Sequence, residues 1–190
     1  MNVSEMTHDD IADFAAQRLN KTGYDFACSN MTSAIHGEQP DVLGINAWGE
    51  SILIEVKVSR SDFLADKKKP WRNGEVKGIG DFRVYLTPKG LLSPSDIPYG
   101  WMLWEVHGKT RPTIKIIKGK DKKMVSNPYF GGKQTNWNFV NCDLAEFNHF
   151  KEHGIGKNYN QELTWMIKIM RRAIDDGFNP NKYANNYQDK

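Results

Sequence analysis

Cysteine is nearly missing from this sequence: among 190 residues only Cys28 and Cys142 occur, far apart and without CxxC spacing. That excludes a disulfide framework and a thiolate zinc site, and two reduced, structural thiols are expected. No apolar run approaches the roughly 20 residues needed to span a bilayer, so neither a membrane-spanning helix nor a membrane partner is expected. The opening stretch, MNVSEMTHDD, has neither a basic nor an apolar segment. No secretory signal is read there, and a cytoplasmic location is expected. Internal repeats are also lacking.

What is present suits one domain: 39% hydrophobic and 12% aromatic residues are ample for a core at this length. The net charge of +3 is unevenly spread. Lys57 to Lys77 holds seven basic residues (Lys57, Arg60, Lys67, Lys68, Lys69, Arg72, Lys77) against three acids. Lys109 to Lys123 holds seven basic residues against Asp121 alone. One such cluster reads as a solvated face, whereas two favour a polyanionic partner.

A first helix is expected from about Thr7, capped by its hydroxyl with Asp10 three residues on, to before Gly23, with Ile11, Phe14, Ala15 and Leu19 as its apolar stripe. A strand over Tyr24 to Met31 follows, then hairpin strands at about 41–47 and 51–58. Ser59 or Ser61 caps a short helix that stops before Pro70. DFRVYLTP and WMLWEVHG read as strands, TIKIIKG as a lysine-protected edge strand, and Asn127 to Asn141 as loop. A last helix, Gln161 to Asp175, carries Leu163, Met166, Ile167, Met170 and Ile174 at helical spacing, read as core. The tail beyond 175 reads as flexible. This order gives an α/β or α+β domain with a central mixed sheet flanked by helices, plus a C-terminal helix.

The chemistry concentrates in PDVLGINAWGESILIEVK. Alternation along the second hairpin strand puts Leu53, Glu55 and Lys57 on one face. With a three-residue turn at Trp48-Gly49-Glu50, Asp41 falls opposite Lys57, so Asp41, Glu55 and Lys57 share a side of the sheet. Converging carboxylates repel, and a divalent cation neutralises them; Mg²⁺ takes oxygen ligands and keeps several waters. Asp41 and Glu55 fit that role, with the Val56 carbonyl as a third candidate ligand. Lys57 is then placed to orient or activate water, or to stabilise charge on a phosphate.

Pro40-Asp41 followed by Glu55-Val56-Lys57 resembles the signature of the PD-(D/E)XK nuclease superfamily. GEQPDVLG, ILIEVKVSRSDFLADKKKPWR, GIGDFRVYLTPKGLLSPSDIP and GWMLWEV resemble a small bacterial and phage branch related to the MmcB-like DNA-repair proteins, over about Gly37 to Val106. The resemblance implies a restriction-endonuclease-like αβββαβ core over about 5–106, a C-terminal embellishment over 107–175, and Mg²⁺ or Mn²⁺ held by Asp41 and Glu55. It implies hydrolysis of phosphodiester bonds with help from Lys57, DNA ahead of RNA, in DNA repair, recombination or phage and host DNA processing. Members often carry another acid on the first helix; Asp13, Asp9 or Glu5 are candidates, with Gln17 a weaker stand-in and Glu38 a candidate outside it. Arg60, Lys67, Lys68, Lys69, Trp71, Arg72 and Lys77 are candidates for nucleic-acid contact, Trp71 by stacking on an unpaired base.

Three rival readings exist. His149-Phe150-Lys151-Glu152-His153 spells the H-x-x-E-H zinc-protease pattern, with Glu162 as a nominal third ligand. A catalytically silent nucleic-acid-binding module would keep the fold without the chemistry. A phage factor could bind a host protein through Trp137, Phe139 and Phe147. The sequence does not set the oligomeric state.

Overall fold

The computed structural model describes residues 5–31, 37–72, 75–126, 133–152 and 156–178. The elements run α1 (His8–Leu19), β1 (Phe26–Ser29), β2 (Val42–Ile45), β3 (Ser51–Val56), α2 (Arg60–Asp66), β4 (Phe82–Pro88), a 3-10 turn at Pro94–Asp96, β5 (Trp101–His107), β6 (Thr113–Ser126), β7 (Lys133–Val140), α3 (Leu144–Lys151) and α4 (Tyr159–Asp175). The seven strands form one mixed sheet in sequence order. β1, β2 and β3 pair antiparallel, β3, β4 and β5 parallel, and β5, β6 and β7 antiparallel. Among the described residues, no helix is long and apolar enough to cross a membrane.

Local chemistry accounts for the ends of these elements. Thr7 and Asp10 form a reciprocal capping box at the start of α1. The Ser59 hydroxyl accepts the Asp62 amide at the start of α2. β3 is buried along its whole length, as a strand covered on both faces must be. Ile52, Ile54 and Val56 join Ile11, Ala12, Ala15 and Leu19 of α1, while Leu53 joins Phe63 of α2, Tyr85, Trp101, and Trp165 and Ile169 of α4. Gly44 permits the close approach of α1, since a Cβ there would lie 2.9 Å from the Leu19 side chain.

The hairpin register departs from expectation. Ile45 pairs with Ser51 and Val42 with Ile54, so Asp41, the next residue outward, stands opposite Glu55 rather than Lys57. The cause is Asn46, whose side-chain oxygen accepts the amides of Trp48 and Glu50 at 3.0 and 2.9 Å and lengthens the turn. A shift of two residues keeps side chains on the same face, so the cluster survives.

Further expectations fail nearby. TIKIIKG is the start of a long inner strand, β6, and Asn127 to Asn141 is not wholly loop, because β7 forms the sheet edge there. Residues 127–132 and the tail 179–190 lie outside the described residues. In α4 the stripe read as core is exposed, Leu163 and Met170 each at 55%; Trp165 and Ile169 are buried instead. The Trp165 indole donates to the Glu38 carbonyl, and Lys157 joins Glu162 at 2.7 Å, which together fix the buried face. Ile169→Ala should therefore cost about 2–4 kcal/mol in urea denaturation, and Met170→Ala no more than about 0.5 kcal/mol.

Candidate active site

The candidate site lies at the carboxyl ends of the parallel strands, on the face shared with α2 and α4. β3 carries Glu55 in its penultimate position and Lys57 just beyond it, and Asp41, immediately before the start of β2, lies alongside. Asp41 Oδ2 accepts the Val56 amide at 2.8 Å and lies 3.2 Å from His8 Nε2. Among the described residues both side-chain contacts of Asp41 use that one oxygen. Lys57 Nζ lies 3.3 Å from Glu55 Oε2 and 3.6 Å from Asp66 Oδ1. Asp41, Glu55 and Lys57 are thus brought together.

Beneath them is an ion network that sequence reasoning placed elsewhere. Arg72, assigned to nucleic-acid contact, is only 3% exposed. It pairs with Glu38, with Asp66 at 2.6 Å and with Glu55 Oε1 at 2.8 Å, and sits 4.9 Å from the Trp101 ring. Arg83 joins Glu38 at 3.1 Å, and the Tyr85 hydroxyl donates to Asp66 at 3.0 Å. A guanidinium among three buried carboxylates braces the fold and is closed to a phosphate.

Other members of the basic cluster are exposed but already engaged by oxygens of the fold. Arg60 makes a two-point contact with Asp96, at 3.0 and 2.6 Å. Lys67 Nζ donates to the Asp96 carbonyl at 3.3 Å, and Lys69 pairs with Asp66 at 2.7 Å. Trp71 is half-buried in a cleft with Trp165, while Lys68 and Lys77 remain exposed.

The candidate extra acids also differ from expectation. Asp13 accepts from Ser29 and Asn30, Asp9 faces His8 at 3.1 Å, and Glu38 is held by Arg72 and Arg83. Glu5 and Gln17 are exposed. The first helix instead presents His8, from its first turn, to the Asp41 carboxylate.

Among the described residues the zinc-protease pattern is not brought together. His149 packs against Tyr99 and Phe150, Glu162 is tied to Lys157 and Ser51, and His153 lies outside the described residues. Phe139 and Phe147 pack on each other at 4.4 Å.

The electrostatics of the two buried site carboxylates diverge. Burial pushes Glu55 up to about 7, against the opposing pull of Arg72. Its Oε1 accepts no hydrogen bond, because the Arg72 contact is an ion pair outside hydrogen-bond angles. Burial also works to raise Asp66, but hydrogen bonding and charge from Arg72, with Lys69 and Lys57, hold it well below the usual range. Burial acts to lower Lys57, and Glu55, Asp66 and Asp41 outweigh it, so Lys57 is held above the ordinary lysine value. His8, half exposed, is raised to about 9, chiefly by its hydrogen bond to Asp41.

A divalent cation fits this donor set on one observation: Glu55 Oε1, buried and 2.8 Å from the Arg72 guanidinium, accepts no hydrogen bond. Asp41, Glu55 and the Val56 carbonyl are hard oxygen donors of the kind Mg²⁺ or Mn²⁺ takes. Among the described residues no group of three or more His, Cys, Asp or Glu side chains converges on one point. That is compatible with an ion that keeps most of its waters.

The sequence matches no family model and no curated protein. Among solved structures the chain is similar to SPO1766, a protein of unknown function from Silicibacter pomeroyi, at 15% identity and a TM-score of 0.44, with 93% of this chain and 98% of that one covered.

Two measurements test the site's electrostatics. Glu55 titrates near its ordinary 4.5 when unfolded and near 7 when folded, so the native state binds the extra proton between those values. Stability should fall as pH rises through that window, on the order of 3 kcal/mol in all, and Glu55→Gln should flatten that part of the profile in urea denaturation. His8 adds stability that is full below 6.5 and lost as pH rises through about 9. Arg72→Met should cost about 3–5 kcal/mol by stranding buried carboxylates, against about 0.5 kcal/mol or less for Lys68→Met.

Proposed function

We propose that this chain is a divalent-metal-dependent nuclease of the PD-(D/E)XK type that hydrolyses phosphodiester bonds, with DNA ahead of RNA as substrate. The observation that carries this reading is Glu55: a buried carboxylate beside Asp41 and Lys57 with one oxygen that accepts no hydrogen bond. The element order, α1, three strands, α2 and β4, agrees with the αβββαβ core that the resemblance implies. The cluster also lies at the carboxyl ends of parallel strands, where α/β sheets take ligands.

Asp41, Glu55 and the Val56 carbonyl would hold Mg²⁺ or Mn²⁺, which when bound supplies Lewis-acid polarisation of the phosphate and acidifies a bound water. Lys57 stays protonated among its carboxylates, which makes it a poor proton acceptor. It serves as a fixed cation that orients water and offsets charge building on the phosphate. His8 and the Val56 amide both tie Asp41 Oδ2, so the carboxylate is oriented before any substrate arrives.

A second reading, a catalytically silent nucleic-acid-binding module, is favoured by one observation: Arg72 and burial seal Glu55, which is only 2% exposed. Cleavage of labelled single-stranded, duplex and branched DNA, with RNA alongside, separates the two. Cutting in Mg²⁺ or Mn²⁺ should disappear in EDTA and fall at least about 100-fold in both Asp41→Asn and Lys57→Ala. Binding without cutting in either metal would leave the silent module; absence of both would remove both readings.

A further inference from the structure

On the α1 face of the sheet a cleft of about 820 Å³ opens where α1 stops covering the strands. α1 packs on β1, β2 and β3. Beyond it, Phe82 of β4, Met102 and Trp104 of β5, and Ile114 and Ile116 of β6 line an apolar floor. Phe82 begins β4, and Ile52, also in the lining, lies near the start of β3. The cleft therefore reaches the end of the sheet opposite Asp41 and Glu55.

Three features define what would fill it. The rim is basic, with Arg18 and Lys21 from the end of α1 and Lys115 and Lys120 from β6, against Glu50 and Asp121. Lys120 Nζ lies 4.8 Å from the centre of the Phe82 ring, and burial lowers its pKa from the ordinary lysine value. In the floor, the Trp104 indole N–H is buried and has no acceptor. A buried donor without a partner carries a desolvation cost that an acceptor, from a bound water or a ligand atom, would offset.

An occupant must therefore bring negative charge to the rim, an acceptor to Trp104 and a flat apolar body to the floor. A nucleotide unit of a single strand supplies all three: phosphate, base or phosphate oxygens, and a base whose faces are free to stack. A duplex hides those base faces. We propose that this cleft is a second contact site for single-stranded nucleic acid, separate from the Asp41, Glu55 and Lys57 cluster. It goes beyond the nuclease reading, sharing its polyanionic partner but not its chemistry.

The test is fluorescence anisotropy of a labelled oligothymidylate in EDTA, where no cutting enters. The chains compared are the unaltered protein, the Lys21→Glu/Lys115→Glu double variant, Trp104→Phe and Met170→Ala, whose side chain is exposed on α4 away from the cleft, each checked for fold by circular dichroism. Expected are tighter binding of the single strand than of a duplex, and an affinity lowered roughly tenfold or more in the double variant with a shallower salt dependence. Trp104→Phe should weaken binding roughly fivefold, the loss of one hydrogen bond, and Met170→Ala should bind as the unaltered protein does. Unchanged affinity in the double variant would overturn the proposal. So would binding of laurate in place of the oligonucleotide, which would make the cleft a site for an anionic amphiphile. Binding in EDTA with no cutting in any metal would count against the nuclease reading alone; cutting that ignores the cleft variants, with oligonucleotide affinity likewise unchanged, would count against the cleft alone.

Discussion

The Arg72 guanidinium is the contact on which the site rests. It leaves the chain just after α2, turns under the sheet, and meets Glu38 from the segment before β2, Glu55 from β3 and Asp66 from the end of α2, with the Trp101 ring of β5 against it. Four parts of the chain thus share one positive charge. Each buried carboxylate would carry a large desolvation cost alone, and together they would repel, so the geometry persists only while the guanidinium is there. Asp66, fixed by that contact, in turn faces Tyr85, Lys69 and Lys57. The position of Lys57 is therefore set from below as well as by β3.

Two acids flank Lys57 and are held in opposite states by their surroundings. Asp66 receives donors from Arg72, Tyr85 and Lys69 and stays ionised. Glu55 is sealed with one oxygen accepting no hydrogen bond, and burial drives it toward the neutral form near physiological pH. A cation beside Glu55 would reverse that balance by stabilising the carboxylate. Asp66 needs no such help, which separates a bracing acid from a candidate ligand although both lie within 4 Å of the same ammonium.

Much of the frame was legible in the sequence, because it follows from short-range rules. The Thr7 and Asp10 box, the Ser59 cap and the unbroken apolar run of β3 each name their element. The hairpin register was legible only in its parity, since a side-chain oxygen at Asn46, not backbone pattern, sets the turn length. Periodicity in α4 tells which residues share a face but not which face is covered; the indole of Trp165 and the charge of Glu162 decided that. The basic run through Arg72 misled for a related reason. Counting charges finds cations without showing where they point, and the acids that claim Arg72 lie 34, 17 and 6 positions before it, at Glu38, Glu55 and Asp66. β7 escaped notice because KQTNWNFV is mostly polar, and its alternation of Trp137 and Phe139 with Asn136 and Asn138 spans only four residues.

The most direct test of the carboxylate pair as a cation site is a Mn²⁺ titration followed by paramagnetic broadening of backbone amide signals. Broadening that begins at Asp41, Glu55, Val56, Lys57 and His8, and is lost in Asp41→Asn, is the predicted result. Uniform weak broadening, or broadening centred elsewhere and indifferent to Asp41→Asn, would contradict a divalent site at the end of β3.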